Sequence, residues 1–330
     1  MSELRYHPFL DTWVITATHR QDRTFLPPPD YCPLCPTRPG GFPTEVPFPS
    51  YDIVVFENKF PSLSEKPPEP AVEGTDLLPV RPSSGVCEVV CYSQVHASTF
   101  ATLPYLQVRK LVRVWKERYE DLGSRDEVEY VFIFENKGRE IGVTLFHPHG
   151  QIYAYPFIPP TPTTELSCER AYFERTGRLL MADWLDTELS EPESAGRVVY
   201  QNDNFAAVVP FFARYPFEVW VAPRTHIRSL AHMGEPMLDD LADALLVVAR
   251  KYDLLFGFSL PYIMLMHQEP TTPGFEFNWF HVEFYPPYRT KTKLKYLAGS
   301  EAGAGAFIND TLPESTAATL RGLDVGSVRG

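Results

Sequence analysis

The sequence predicts an α+β protein: two similar halves sharing one largely antiparallel sheet, with helices packed against it. A repeated unit carries that expectation first. Strand, strand with a trailing histidine, helix, strand, and strand with a central histidine occur in that order twice. Neither copy holds enough strand to bury its own apolar face, so the copies are expected to pair. Hydrophobic residues make up 44% of the 330 residues and aromatics 14%, ample core for this length. The halves are placed at residues 1–160 and 161–330.

Charged residues are 22% of the chain, as in globular proteins generally. The net charge of −12 argues against a nucleic-acid partner, because such binding rests on Lys and Arg meeting phosphates. A small phosphorylated ligand needs only a local basic pocket and stays open. No apolar run is long enough to span a bilayer, and Met1-Ser2-Glu3-Leu4-Arg5 lacks a signal-peptide core. The five cysteines (Cys32, Cys35, Cys87, Cys91 and Cys168) are an odd number, which points to the reducing cytoplasm rather than a disulfide framework. The 33 prolines predict long, rigid connections around short strands.

In chain order, Trp13-Val14-Ile15-Thr16 reads as a strand, followed by a proline-rich loop with Cys32-Pro33-Leu34-Cys35. Asp52–Phe56 is a strand; residues 61–84 read as an exposed loop that is mobile without ligand. The strand Cys87–Tyr92 leads to His96. Leu111, Trp115 and Tyr119 then mark one face of a helix, and Tyr130–Phe134 a buried strand. Residues 161–197 read as an extended linker plus an acidic helix. The second copy follows. Arg197–Asn202 echoes Ile53–Asn58, and Glu218–His226 echoes Glu88–His96. A helix carries Leu238, Leu241, Leu245, Val248 and Tyr252, and a strand spans Tyr262–His267. Phe280-His281-Val282-Glu283-Phe284 stands where Phe146-His147-Pro148-His149-Gly150 stood.

Two stretches carry chemistry. In His147-Pro148-His149-Gly150-Gln151 the proline donates no backbone hydrogen bond and holds the residue before it extended, so the segment presents side chains. Gly150 is expected to let a ligand approach the backbone. A neutral imidazole can bind a metal or attack an electrophile, and a rigid pair can do one of each. A lone histidine is more often an ordinary core or surface residue; this five-residue run is far more specific. The spacing Cys32-x-x-Cys35 suits two thiolates of one metal or a redox dithiol. Pro33, Pro36 and Pro39 forbid the helix a redox motif opens, which favours the metal, with histidines completing the site.

With those residues in view, the chain resembles the galactose-1-phosphate uridylyltransferases of the histidine-triad superfamily, from Arg20 to about Glu301. The resemblance implies a duplicated histidine-triad-like fold. It implies ping-pong transfer of UMP from UDP-glucose to galactose-1-phosphate, with His149 as nucleophile and Gln151 bonding the transferring phosphoryl oxygens. It assigns zinc to Cys32, Cys35, His96 and His147, and a second iron or zinc ion to Glu165, His267, His281 and Glu283. Arg20 and Arg23 fall at substrate phosphates, Asn58 and Asn136 at the ribose and uridylyl phosphate, and Thr144 where a serine usually bonds phosphate. Lys295, Tyr296, Ala298 and Glu301 fall on a hexose-lining stretch that a partner subunit can supply, which implies a homodimer. Three positions depart from the family pattern. Phe146 replaces a proline, Glu283 replaces a histidine, and Phe307 lies where a sugar-contacting glutamine often stands. Two other activities share the motif or the fold: adenylyl transfer to phosphate, and zinc-stabilised nucleotide binding without turnover.

Overall fold

The computed structural model describes residues 2–22, 28, 31–192 and 196–329. Its first strand, β1 (Ser2–His7), pairs antiparallel with β2 (Thr12–Ala17). After β3 (Val54–Glu57), β4 (Val80–Pro82) returns to the free edge of β1, giving a small sheet in the order β2-β1-β4. Residues 61–84 are therefore anchored at both ends, with Leu63 and Ser83 fully buried, while residues 71–78 and the Arg81 and Pro82 side chains are exposed. The expected exposure holds for most of the loop and fails near its ends, in part because β4 is held by backbone hydrogen bonds, on which hydropathy is silent.

The main sheet unites both halves. β5 (Val86–Cys91), β6 (Tyr130–Lys137) and β7 (His149–Tyr155) join β3 in the order β3-β5-β7-β6. β8 (Val198–Gln201), β9 (Phe205–Val208), β10 (Val219–Pro223), β11 (Tyr262–His267) and β12 (His281–Tyr285) continue it as β11-β12-β10-β9-β8. β6 and β11 meet antiparallel at the centre, Tyr262 opposite Lys137 and Met266 opposite Ile133. Every ladder in this nine-stranded sheet is antiparallel, as expected of the fold class. Read outward from the centre, β6-β7-β5-β3 mirrors β11-β12-β10-β9. The place of β3 is thus taken by β9, whereas the sequence echo had matched β3 to β8. Strand β8 extends the edge by one position.

Helix α1 (Tyr105–Gly123) buries Val108, Leu111, Val112, Trp115, Tyr119 and Leu122, a stripe at three- and four-residue spacing. After α2 (Pro160–Thr176) and α3 (Leu180–Ser190), α4 (Glu235–Phe256) is the counterpart of α1. It starts with proline in its first turn and ends at Gly257, whose φ of 75° is the left-handed conformation that closes a helix. α1 and α4 lie side by side, bridged by Arg109 Nε to Asp239 Oδ1 at 2.6 Å, and cover one face of the sheet. The other face carries His149, Gln151, His281 and Glu283. On its second half α2 and α3 pack, with Met181 and Leu185 against Trp220, Ala222 and Trp279. Residues 161–197 are thus mostly two helices rather than an extended linker. On the first half Leu4, Leu63, Cys87 and Tyr153 bring in the small sheet. β13 (Tyr288–Thr290), β14 (Lys293–Leu294) and α5 (Pro313–Arg321) complete the chain.

Candidate active site

Pro148 ends the irregular approach to β7, and His149 is that strand's first residue. From there the segment does complete a central ladder: His149 lies opposite Cys91, and Gln151 opposite Val89 on one side and Phe134 on the other. Pro148 contributes its carbonyl, which accepts Tyr92 N–H at 3.0 Å. His149 and Gln151, two apart on one strand, share the functional face. The His149 Nδ1 lies 2.7 Å from the His147 carbonyl. A carbonyl only accepts, so Nδ1 carries the proton and the lone pair sits on Nε2.

Gly150 points the other way. A Cβ built on it would stand 2.1 Å from the Tyr92 hydroxyl oxygen. Tyr92 is fully buried among Phe100 and Trp115 beneath α1. The glycine therefore makes room for a core tyrosine, not for a ligand.

Two adjoining cavities meet at His149 and Gln151. One, of about 250 Å³, is lined by Asn58, Phe56, Tyr31, Leu34 and Thr144. The other, of about 150 Å³, holds Arg20, Asn136 and again Thr144. Asn58 Nδ2 donates to Gln151 Oε1 at 3.4 Å, which turns the glutamine's own amide donors toward the cavity. Arg20 is fixed by donating to the Phe60 carbonyl at 3.0 Å. Arg23 lies outside the described residues. Lys295, Tyr296, Ala298 and Glu301 line neither cavity. Lys295 Nζ is buried against Glu301 Oε1 at 3.0 Å and also donates to the Ile308 carbonyl. Glu301 Oε2 accepts the Ala298 N–H at 3.2 Å, while Tyr296 is 75% exposed.

Beside the first cavity, the ligand atoms of Cys32, Cys35, His96 and His147 all lie within 4.8 Å of one another. His96 Nδ1 and His147 Nδ1 face the Cys35 sulfur at 3.5 and 3.6 Å. Burial, then Cys32, pushes the Cys35 thiol up to about 11, and burial pushes the His147 imidazole down to about 4. A cation is what such a set lacks: it lets both thiols ionise and uses the neutral imidazoles' lone pairs, so the residues fit zinc. Tyr51 and Ser93, which no sequence motif marks, contact the other ring nitrogen of His147.

A second group, Glu165, His267, His281 and Glu283, meets the same 4.8 Å limit. His267 ends β11 opposite His281, the first residue of β12, and Glu283 follows on the same face. Glu165 comes from α2 and meets His267 Nδ1 at 2.5 Å. Burial opposes charge on His267, but Glu165 and Glu283 outweigh it and hold the imidazole up at about 9. Glu169, one turn beyond Glu165, is pushed up to about 8 by burial and then by Glu165. His281 Nε2 and Glu283 Oε1 face each other at 3.4 Å, and neither they nor Glu169 Oε2 has a hydrogen-bond partner among the described residues. The other Glu283 oxygen is occupied by Tyr285 and by Arg214 at 3.3 Å. Unmet lone pairs on a two-histidine, carboxylate-rich set fit a divalent cation.

His281 repeats a detail of His149. Its Nδ1 lies 3.1 Å from the carbonyl of Trp279, two residues back, as His149 binds His147. Both histidines open the strand beside the central pair. By fold, then, His281 corresponds to His149 and Glu283 to Gln151, two residues off the alignment read from sequence.

The profile of the galactose-1-phosphate uridyl transferase N-terminal domain matches residues 1–159, and that of its C-terminal domain residues 165–328. A galactose-1-phosphate uridylyltransferase of Thermotoga maritima is 41% identical over 329 residues, covering 98% of this chain and 99% of the relative. One from Haemophilus influenzae is 33% identical, covering 97% and 93%. A solved uridylyltransferase superposes with a TM-score of 0.86 at 33% identity, covering 97% of each chain. With both profiles and these full-length relatives in agreement, the chain belongs to the galactose-1-phosphate uridylyltransferase family.

Proposed function

We propose that this enzyme moves UMP from UDP-glucose to galactose-1-phosphate through a uridylyl group carried on His149. The observation that carries the reading is the His149 tautomer, set by the His147 carbonyl at 2.7 Å where a largely apolar cavity meets a smaller polar one. The Nε2 lone pair attacks the α-phosphorus of UDP-glucose. A P–N bond forms, the P–O bond to glucose-1-phosphate breaks, and the sugar phosphate leaves with the bonding pair. A phosphate oxygen of galactose-1-phosphate then attacks the same phosphorus, and the imidazole leaves with the P–N pair as UDP-galactose forms. Positive charge gathered on the ring in between is met by the His147 carbonyl. Gln151 amide hydrogens bond the non-bridging oxygens as their charge grows. Arg20 holds the sugar phosphate, Asn58 and Asn136 the ribose and uridylyl phosphate, and Thr144 bonds a phosphate oxygen. The test is transfer of label. Protein treated with UDP-glucose labelled in the uridylyl phosphate and quenched in alkali should carry it on His149. Label accepted only from an adenylyl donor would overturn the assignment.

Cys32, Cys35, His96 and His147 would hold zinc, which supplies bracing. Removing it by chelation, or making Cys32→Ser, should lower exchange by about 10–100-fold, measured beside metal content. Full exchange in zinc-free protein would count against this role. Glu165, His267, His281 and Glu283 would hold a second ion, iron or zinc, between the strands and α2. The halves divide at residues 160 and 161, where α2 begins. Among the described residues no helix is long and apolar enough to cross a membrane, and the five cysteines are unpaired. Unpaired cysteines suit the reducing cytoplasm.

The stretch Lys295–Glu301 we assign to the hexose site of a partner subunit in a homodimer. The Lys295–Glu301 pair shapes the turn, and Tyr296 projects from it. Mixing His149→Ala subunits with Tyr296→Ala subunits should restore part of the activity that each lacks alone. Mixtures no more active than their parents would show that each subunit is self-contained.

A further inference from the structure

We infer that Tyr51 is a positioning residue of this active site: beside the Ser93 carbonyl that sets the His147 tautomer, its hydroxyl fixes the aim of His147, and through the His147 carbonyl the aim of His149. This rests on the reading of Cys32, Cys35, His96 and His147 as a zinc site. Tyr51 belongs to no motif, and its ring packs in a small apolar cluster with Leu34, Val89 and Cys91 behind the larger cavity.

The Tyr51 hydroxyl lies 2.6 Å from His147 Nε2, 2.8 Å from the Ser93 carbonyl and 3.2 Å from the Leu34 carbonyl. His147 Nε2 is itself 2.7 Å from the Ser93 carbonyl. The Ser93 carbonyl only accepts, so at 2.7 Å it requires Nε2 to carry a proton, and the hydroxyl, meeting an N–H there, gives its own proton to the Ser93 or Leu34 carbonyl. That tautomer leaves the lone pair on Nδ1, the nitrogen that faces the Cys35 sulfur at 3.6 Å. A metal-bound imidazole whose second nitrogen is held by an outer partner is oriented in just this way.

The hydroxyl also ties together the segments that bear the whole ligand set. Leu34 lies between Cys32 and Cys35, Ser93 three residues before His96, and the third contact is His147 itself. From His147 the link to the nucleophile is short. Its carbonyl accepts His149 Nδ1 at 2.7 Å across one proline, so a rotation of His147 moves the group that sets the His149 tautomer.

Tyr51→Phe deletes only the hydroxyl. We expect zinc loss to a chromogenic chelator to quicken by about tenfold and kcat to fall by about tenfold, with KM for UDP-glucose within about twofold. Zinc loss and kcat both within about twofold of the parent would overturn the inference while leaving the zinc site intact. A metal-free parent protein that takes up no zinc would overturn the zinc reading and this inference together. If Tyr51→Phe does not fold, the parent decides. In zinc-loaded protein labelled with 15N-histidine, the His147 Nε2 proton should exchange slowly and show a nuclear Overhauser effect to the Tyr51 ring. A ring protonated on Nδ1, or an Nε2 proton in fast exchange with water, would overturn it.

Discussion

Protein carrying His149→Ala is expected to fold as the parent does, to bind UDP-glucose, and to lose at least about 10⁴-fold in turnover, because the covalent step has no other acceptor. The fold should survive because the His149 side chain opens into the cavities and is only half-buried, while its backbone pairing with Cys91 needs no particular side chain. The informative assay is exchange of labelled glucose-1-phosphate into UDP-glucose, which in a ping-pong enzyme proceeds without the second sugar phosphate. The parent should catalyse it and the variant should not. Retained binding with lost exchange separates the proposed enzyme from a nucleotide-binding protein, in which the substitution would change neither. Exchange at the parental rate in the variant would remove His149 from the chemistry.

The geometry around His149 was legible in sequence because its specification is local. Two histidines, a proline and a glutamine within five residues bring their geometry with them. In the quartet of Cys32, Cys35, His96 and His147 the cysteine pair was legible from its spacing, but the two histidines only through the family pattern, since His96 and His147 meet Cys35 from 61 and 112 residues away. Tyr51 was invisible for the same reason without such a pattern to reveal it. Its hydroxyl acts on residues 17, 42 and 96 positions distant, and a single tyrosine after Pro-Ser has no periodicity to betray that.

Strand parity accounts for the other differences. A shift of two residues leaves the face unchanged, so aligning His281 with His147 or with His149 satisfies the same alternation. Strand position, with each histidine opening the strand beside the central pair, and the Nδ1 contacts to Trp279 and His147 decide between them. Charge reading likewise could not tell that Lys295 and Glu301 face each other, because both suit a sugar pocket equally well in isolation. The repeat fared better. Strand and helix periodicity recur in each half whatever the side chains do locally, and the sheet order followed apart from β9.

Gly150→Ala is the substitution expected to cost most in stability for its size, about 1–3 kcal/mol by overpacking. The added methyl would meet the Tyr92 hydroxyl oxygen at 2.1 Å and the Phe134 carbonyl at 3.0 Å. Tyr92 has little room to retreat, since its fully buried ring abuts the stacked pair Phe100 and Trp115 edge-on at 6.0 and 5.8 Å. Strand β7 must give instead, which displaces His149 and Gln151 on either side, so kcat should fall along with the denaturant midpoint. The Tyr92 hydroxyl has no hydrogen-bond partner among the described residues, so Tyr92→Phe alone should cost little. Combined with Gly150→Ala it should recover about 0.5–3 kcal/mol of coupling, though not all of the loss, because the ring carbon below lies 3.1 Å from the new methyl. A glycine kept for ligand approach predicts the opposite pattern: Gly150→Ala would leave the midpoint unchanged, raise KM, and gain nothing from Tyr92→Phe.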